Sequence, residues 1–177
     1  MEEPDHKALD HPQEYILDKG GHIFIALYRD EPVGVCALCK KDDPEHEYEL
    51  AKHAVSPGVQ GKGIGVLLCR TVIGKAKELG CKKFFLESNT LLRPAIRLYR
   101  KLGFKEIPKS HPAYERVDIQ MELVIACPFA ATSAAIRDPC TLGESPPFLR
   151  DLTEMKQPLL SLYWPESIFS VLFRKQV

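Results

Sequence analysis

The sequence predicts a mixed α/β fold, a central mixed sheet with one strand–helix–strand crossover. Three patterns carry that expectation. An apolar strand from Tyr48 to Val55 runs into a glycine turn, a long helical pattern and a second strand, Lys82 to Glu87. Two strand-like runs, His22 to Arg29 and Val33 to Cys39, precede it as a hairpin. A closing alternation of Val117, Ile119, Met121, Leu123 and Ile125 follows it. A crossover between parallel strands should be right-handed.

The elements follow in chain order. Met1 to Asp10 is polar and acidic, without the apolar core of a signal peptide. Pro12 to Lys19 fits a short helix, opened by Pro12 and stopped by Gly20-Gly21. Asp30-Glu31-Pro32 reads as the hairpin turn and Lys40 to Glu47 as a charged loop. After the glycine turn, Ile64, Leu67, Leu68, Val72, Ile73, Ala76 and Leu79 recur at three- and four-residue steps, so one helix face is apolar. Gly80 caps it. Phe84, Phe85 and Leu86 form a continuous apolar run, the mark of a strand covered on both faces. Pro94 opens a second helix that carries Ile96, Leu98, Tyr99 and Leu102 and ends at Gly103. Phe104 to Ile107 is a short strand, and a loop around Pro108 and Pro112 leads to Val117. Residues 1–126 form one domain on this pattern. Residues 127–177 hold six of the 14 prolines and read as an appended tail, with no convincing element before an apolar stretch at Leu159 to Phe173.

Composition narrows the function. The 177 residues are 45% hydrophobic and 27% charged, a globular balance. Lys+Arg and Asp+Glu are 24 each, so no broad nucleic-acid surface is indicated. No run of 18 apolar residues exists to span a membrane, and a cytoplasmic location is the expectation. The six cysteines form neither a disulfide framework nor a paired zinc knuckle. Cys36 and Cys39 make a lone C-x-x-C in a strand, where odd spacing sends them to opposite faces; plain strand residues are the simpler reading. No metal site is expected, since His46-Glu47-Tyr48-Glu49-Leu50 lacks the second histidine of a zinc motif.

The chemistry concentrates between Val55 and Val66. Glycines at 58, 61, 63 and 65 separate a strand end from a helix start. Backbone without a Cβ lets a ligand come close. Helix N-terminal N–H groups lacking internal partners suit a phosphate. Two nucleotide motifs fail here. Ile64 stands where a Walker loop needs Lys, and Val66 where a dinucleotide fingerprint needs Gly or Ala.

Gln60-Gly61-Lys62-Gly63-Ile64-Gly65 resembles Q/R-x-x-G-x-G/A, the acetyl-CoA pyrophosphate motif of the GNAT N-acetyltransferases. Glu87-Ser88-Asn89, followed by Ala95, Leu98-Tyr99, Lys101 and Gly103-Phe104, resembles the family's second block, and Ile119-Gln120-Met121-Glu122-Leu123 its last strand. The resemblance covers residues 12 to 125. The family fold usually opens with a further strand and helix that help wall the acceptor site. Here that material is missing or reduced, so the domain reads as shortened at its N-terminus.

The resemblance implies direct transfer of an acetyl group from acetyl-CoA to a primary amine, with no covalent acetyl-enzyme. The alternative is an acyl-CoA-binding regulatory protein with impaired catalysis. Val55, Gln60, Gly61, Lys62, Gly63, Ile64, Gly65 and Asn89 are the implied cofactor contacts, with the backbone N–H near Val55 meeting the carbonyl oxygen. Asn89 competes with a plain turn role. Glu49, on the entering strand, matches the general-base glutamate of the histone-acetylating branch; a solvated strand carboxylate is the rival reading. Simple alternation puts Glu49, Ala51, His53 and Val55 on one face unless a bulge intervenes, so His53 shares candidacy as base. Tyr99 is the implied partner of the leaving sulfur, against a plain core aromatic. The partner is a small-molecule or peptide amine, without nucleic acid or membrane, and a homodimer is left open.

Overall fold

A computed structural model describes residues 10–108, 115–125 and 148–151. Within them seven strands form one sheet: β1 (His22–Tyr28), β2 (Glu31–Lys40), β3 (Tyr48–Val55), β4 (Lys83–Ser88), β5 (Lys105–Ile107), β6 (Ile119–Val124) and β7 (Phe148–Asp151). Their order across the sheet is β5-β6-β4-β3-β2-β1-β7. Among the described residues only β3 and β4 pair in parallel; the other pairs are antiparallel. Helix α1 (Ile64–Glu78) makes the crossover between them, and α2 (Arg93–Lys101) follows β4. The expected mixed sheet and its single crossover are both present.

Packing follows the alternation. Leu38, Leu50, Phe84, Leu86, Ile119 and Met121 turn to one face, where α1 meets them with Ile64, Leu68, Cys69, Val72, Ile73 and Ala76. Ile96 and Tyr99 of α2 and Phe104 join the same core. Leu68 is fully buried. The expected strand and helix limits hold to within one or two residues.

Three local expectations change. The hairpin turn sits at Arg29 and Asp30, both at positive φ (54° and 62°). Those are the central positions of a two-residue primed turn, whose twist suits the flanking strands. Glu31 and Pro32 already belong to β2, and the ladder slips between Ala26 and Leu27, opposite Pro32, which has no N–H to give. The helix expected at Pro12 is a single π-helical turn, Gln13–Leu17, with Ile16 buried beneath it. The proline-rich segment is not without an element before Leu159: residues 148–151 add β7 to the edge of β1, pairing Phe24 with Asp151 and Leu27 with Phe148. The apolar stretch at Leu159 to Phe173 lies outside the described residues.

Leu68→Ala should destabilise the fold by about 2–5 kcal/mol, because a fully buried side chain on α1 leaves a cavity. Urea unfolding with an unchanged slope is the check.

Candidate functional site

The β3–β4 ladder is short. Tyr48 pairs with Phe84 and Glu49 with Phe85, and no further pair is formed. Beyond Glu49 the strands part, so the inner edges of Leu50 to Val55 and Leu86 to Ser88 bound an opening. The glycine turn and the start of α1 stand at one side of it.

A bulge shapes the β3 side. Ala51 faces Ala37 and Ala54 faces Val35, so Lys52 and His53 together oppose the single residue Cys36. Lys52 takes a left-handed φ of 52°, uncommon for a side-chain-bearing residue. The extra residue breaks the alternation, as such bulges do. Glu49 and His53 are therefore not on one face, which corrects the simple expectation. Glu49 lies beside Cys39 and Phe85, on the face turned away from α1 and α2. His53 faces α1 and α2, with Nδ1 3.2 Å from the Tyr99 hydroxyl and both ring nitrogens 3.8 Å from Cys69 Sγ.

The glycine turn is open. A Cβ built on Gly58, Gly61 or Gly63 would meet nothing within 4 Å. Gly61 and Gly63 hold φ of 83° and 82°, which only glycine adopts without strain. Gly63 is the N-cap of α1 and supplies no side-chain cap, so the N–H groups of the first turn beginning at Ile64 stay available to an external acceptor. Gln60 Nε2 donates to the Val55 carbonyl at 3.2 Å. Lys62 rests its ammonium 5.0 Å from the Tyr28 ring centroid. The Ser56 N–H donates to Val33 O, so ladder alternation turns the N–H of Val55 away from β2, toward the opening. These groups fit a pyrophosphate and a thioester oxygen. Gly65 differs from the other turn glycines. A Cβ there would stand 3.3 Å from His53 Nε2, so its open side is already filled by the imidazole.

Asn89 is committed to its loop. Its Nδ2 donates to Arg116 O at 2.5 Å, and its Oδ1 accepts the Leu91 N–H at 2.8 Å, an Asx turn. Thr90 is tied to Asp118 through its N–H and hydroxyl. The loop holds Leu91 83% exposed at the C-terminal end of β4.

Electrostatics separate the two faces. On the helix face, burial lifts the Tyr99 hydroxyl well above its usual range. The neighbouring thiols divide: burial pushes Cys36 up, while donation from Cys36 and the proximity of His53 hold Cys69 down at about 5. On the other face Glu49 has a side chain 15% exposed, with Lys41 Nζ at 3.3 Å. Burial raises its carboxyl, Lys41 pulls it back and Glu87 raises it again, for a net upward shift. Burial and then Glu49 push Cys39 up to about 12. Phe85 lies at the centre of this face, with Lys41 4.2 Å from its ring centroid and the His46 ring at 4.9 Å. His46 Nε2 bonds Glu122 at 2.8 Å. Cys36 and Cys39 lie on opposite faces as expected, and among the described residues no cluster could hold a metal.

Glu87 carries no role in the family resemblance beyond its place in the second block. It stands two residues past Phe85 on the Glu49 side, and its Oε1 accepts from Gln120 Nε2 at 2.8 Å. The alternation of β4 carried that signal. The bulge that reorients His53 had no signal in residue type.

Comparison with known proteins gives a consistent answer. The Acetyltransferase (GNAT) family matches residues 1–104. An uncharacterized N-acetyltransferase, YjgM of Escherichia coli (strain K12), is 29% identical over 111 residues, 62% of this chain and 66% of its own length. A streptothricin acetyltransferase of Streptomyces lavendulae is 44% identical over 87 residues, 49% of this chain and 46% of its own. The chain thus spans less than two thirds of these relatives. A Bacillus subtilis acetyltransferase solved in complex with CoA superposes with a TM-score of 0.56 at 25% identity, covering 70% of this chain and 86% of that one.

The raised Glu49 carboxyl predicts a stability effect whose sign is fixed by linkage. A group with a raised folded pKa stabilises the fold when protonated and loses that contribution as pH rises through the folded value. Glu49→Gln should therefore raise the melting temperature at neutral pH. The gain should shrink as pH falls below the raised value, which thermal melts across pH 4–8 would show.

Proposed function

The chain belongs to the GNAT acetyltransferase family, and we propose that it transfers an acetyl group from acetyl-CoA to a primary amine by direct attack. The observation that carries this reading is the parting of β3 and β4 beside an uncapped helix start whose glycine turn is open. The turn from Gln60 to Gly65 receives the pyrophosphate, where N–H groups and the helix dipole both favour an anion. The pantetheine arm then runs into the opening and brings the thioester between the two sheet faces.

An alkylamine with a pKa of about 10.4 arrives protonated, so a base must act first. Glu49 takes that proton, directly or through one water. Its raised carboxyl brings its basicity closer to the amine than an ordinary carboxylate offers. Glu87 on the same side keeps that affinity for protons high. The Val55 N–H stabilises the oxyanion, a contribution of about 3 kcal/mol for one well-placed donor. Tyr99 meets the leaving thiolate. Its upward-shifted hydroxyl is a weak acid there, so hydrogen bonding carries much of its effect.

The acceptor belongs to the small amines, and the identity to a streptothricin acetyltransferase makes streptothricin one compound to test. Thiol release should be followed with acetyl-CoA against streptothricin, amino acids, polyamines and peptide N-termini, beside a thermal shift with acetyl-CoA. Turnover with any amine supports the reading. A thermal shift without release from any of them favours an acyl-CoA-binding protein instead.

With the best amine, Glu49→Gln should lower kcat/KM by about 100-fold at neutral pH. The wild-type rate should fall as pH drops through the Glu49 pKa, above the ordinary carboxylate range, and the variant should lose that limb. Tyr99→Phe should lower kcat roughly 10- to 100-fold with little change in the KM for acetyl-CoA. Steady-state kinetics between pH 5 and 9 check both variants.

A further inference from the structure

We propose that His53 is a positioning residue for Tyr99, directing its hydroxyl hydrogen toward the leaving sulfur. This rests on the reading above, in which Tyr99 meets the thiolate. His53 Nδ1 stands 3.2 Å from the Tyr99 oxygen, with the rings tilted and 6.0 Å apart. Two arrangements satisfy that contact. If Tyr99 donates to Nδ1, its hydrogen points at the imidazole and away from the opening. If Nδ1–H donates to Tyr99, the hydroxyl hydrogen is free for the sulfur, and the tyrosinate formed on transfer keeps a donor.

The second arrangement is the one that serves the leaving sulfur. Cys69 Sγ lies 3.8 Å from both Nδ1 and Nε2, and Cys36, directly beside it, packs into the same pocket. A thiol hydrogen donated to Nε2 leaves the imidazole hydrogen on Nδ1, the tautomer this role requires. The groups facing His53 are Cys69 on α1, Tyr99 on α2 and Cys36 on β2; no carboxylate among the described contacts reaches it.

The fold builds the seat from three sides. The bulge at Lys52 turns His53 to the helix face. Gly65 leaves the space that Nε2 fills, since a Cβ there would come within 3.3 Å. Tyr99 is held by its packing on Phe104, ring centroids 6.0 Å apart. A last glycine in the turn thus has a second reason beyond phosphate approach.

The proton's position is read directly by two-bond nitrogen–proton correlation of the imidazoles in nitrogen-15-labelled protein, with His53 identified by its loss in His53→Asn. The expected spectrum shows hydrogen on Nδ1, and its signal moves in Tyr99→Phe. A proton on Nε2 alone overturns the proposal. Kinetics give the second readout. His53→Leu should lower kcat roughly tenfold while the acetyl-CoA KM stays within about twofold, and His53→Asn, whose amide reaches the Nδ1 position, should restore most of the loss. If Tyr99→Phe slows the enzyme but His53→Leu does not, the positioning role is overturned while the transfer reading stands. If Tyr99→Phe has no effect, the fault lies in the Tyr99 assignment itself.

Discussion

The site depends on the backbone of β3 leaving β4 after Glu49 while carrying one extra residue against β2. Both departures have a cost. Parting leaves strand N–H and C=O groups without a sheet partner, and unpaired backbone polar groups are expensive wherever water is excluded. The left-handed Lys52 adds local strain. The surrounding ladders make the cost bearable: β1 is paired to β2 along its length, and β4 to β6 over six positions. The frame is continuous on both sides of the opening, so the break stays local.

The bulge also separates the two halves of the proposed chemistry. With unbroken alternation, Glu49 and His53 would share a face, and acid and base functions would crowd one side of the thioester. The extra residue leaves Glu49 with Lys41, Phe85 and Glu87 and sends His53 to Cys69 and Tyr99. In the proposed reaction, the carboxylate that takes a proton and the hydroxyl that meets the leaving sulfur then approach the reacting carbon from opposite faces. Their charges do not meet through a short path, so each keeps the shift its own surroundings impose. Burial raises both groups, yet the consequences differ. A raised carboxylate is a better base, and a raised phenol a better hydrogen-bond holder than proton donor.

Residue type and spacing reveal much of this and miss the rest for physical reasons. The crossover was legible because its two strands and its helix each bury a regular apolar pattern, from Leu50 through Leu68 to Phe84. The glycine turn was legible because Gly61 and Gly63 occupy conformations other residues avoid. The bulge was not. Lys52 and His53 are ordinary strand-compatible residues, and only the pairing of Ala51 and Ala54 across β2 exposes the extra one. The turn at Arg29 and Asp30 was hidden for a related reason: neither is glycine, while Pro32 nearby looked like the stronger signal. β7 escaped because four residues cannot show a period, and an edge strand is stabilised by the neighbour it joins.

Gly65 shows how a family motif takes on a meaning particular to one chain. At Gly61 and Gly63 the missing side chain serves the backbone angle, and the space beside each is empty. At Gly65 the angle is an ordinary helical one, and the space is filled by an imidazole. Where no histidine faces this position, alanine would meet no such obstacle. Here an added methyl would press on Nε2 at 3.3 Å, and relief would have to come from a ring also in contact with Tyr99 and Cys69. Close-packed surroundings pass such a displacement on rather than absorb it. The glycine turn and the proposed acid are thereby coupled through one side chain, and the constraint on position 65 comes from the strand before the turn rather than from the proposed phosphate.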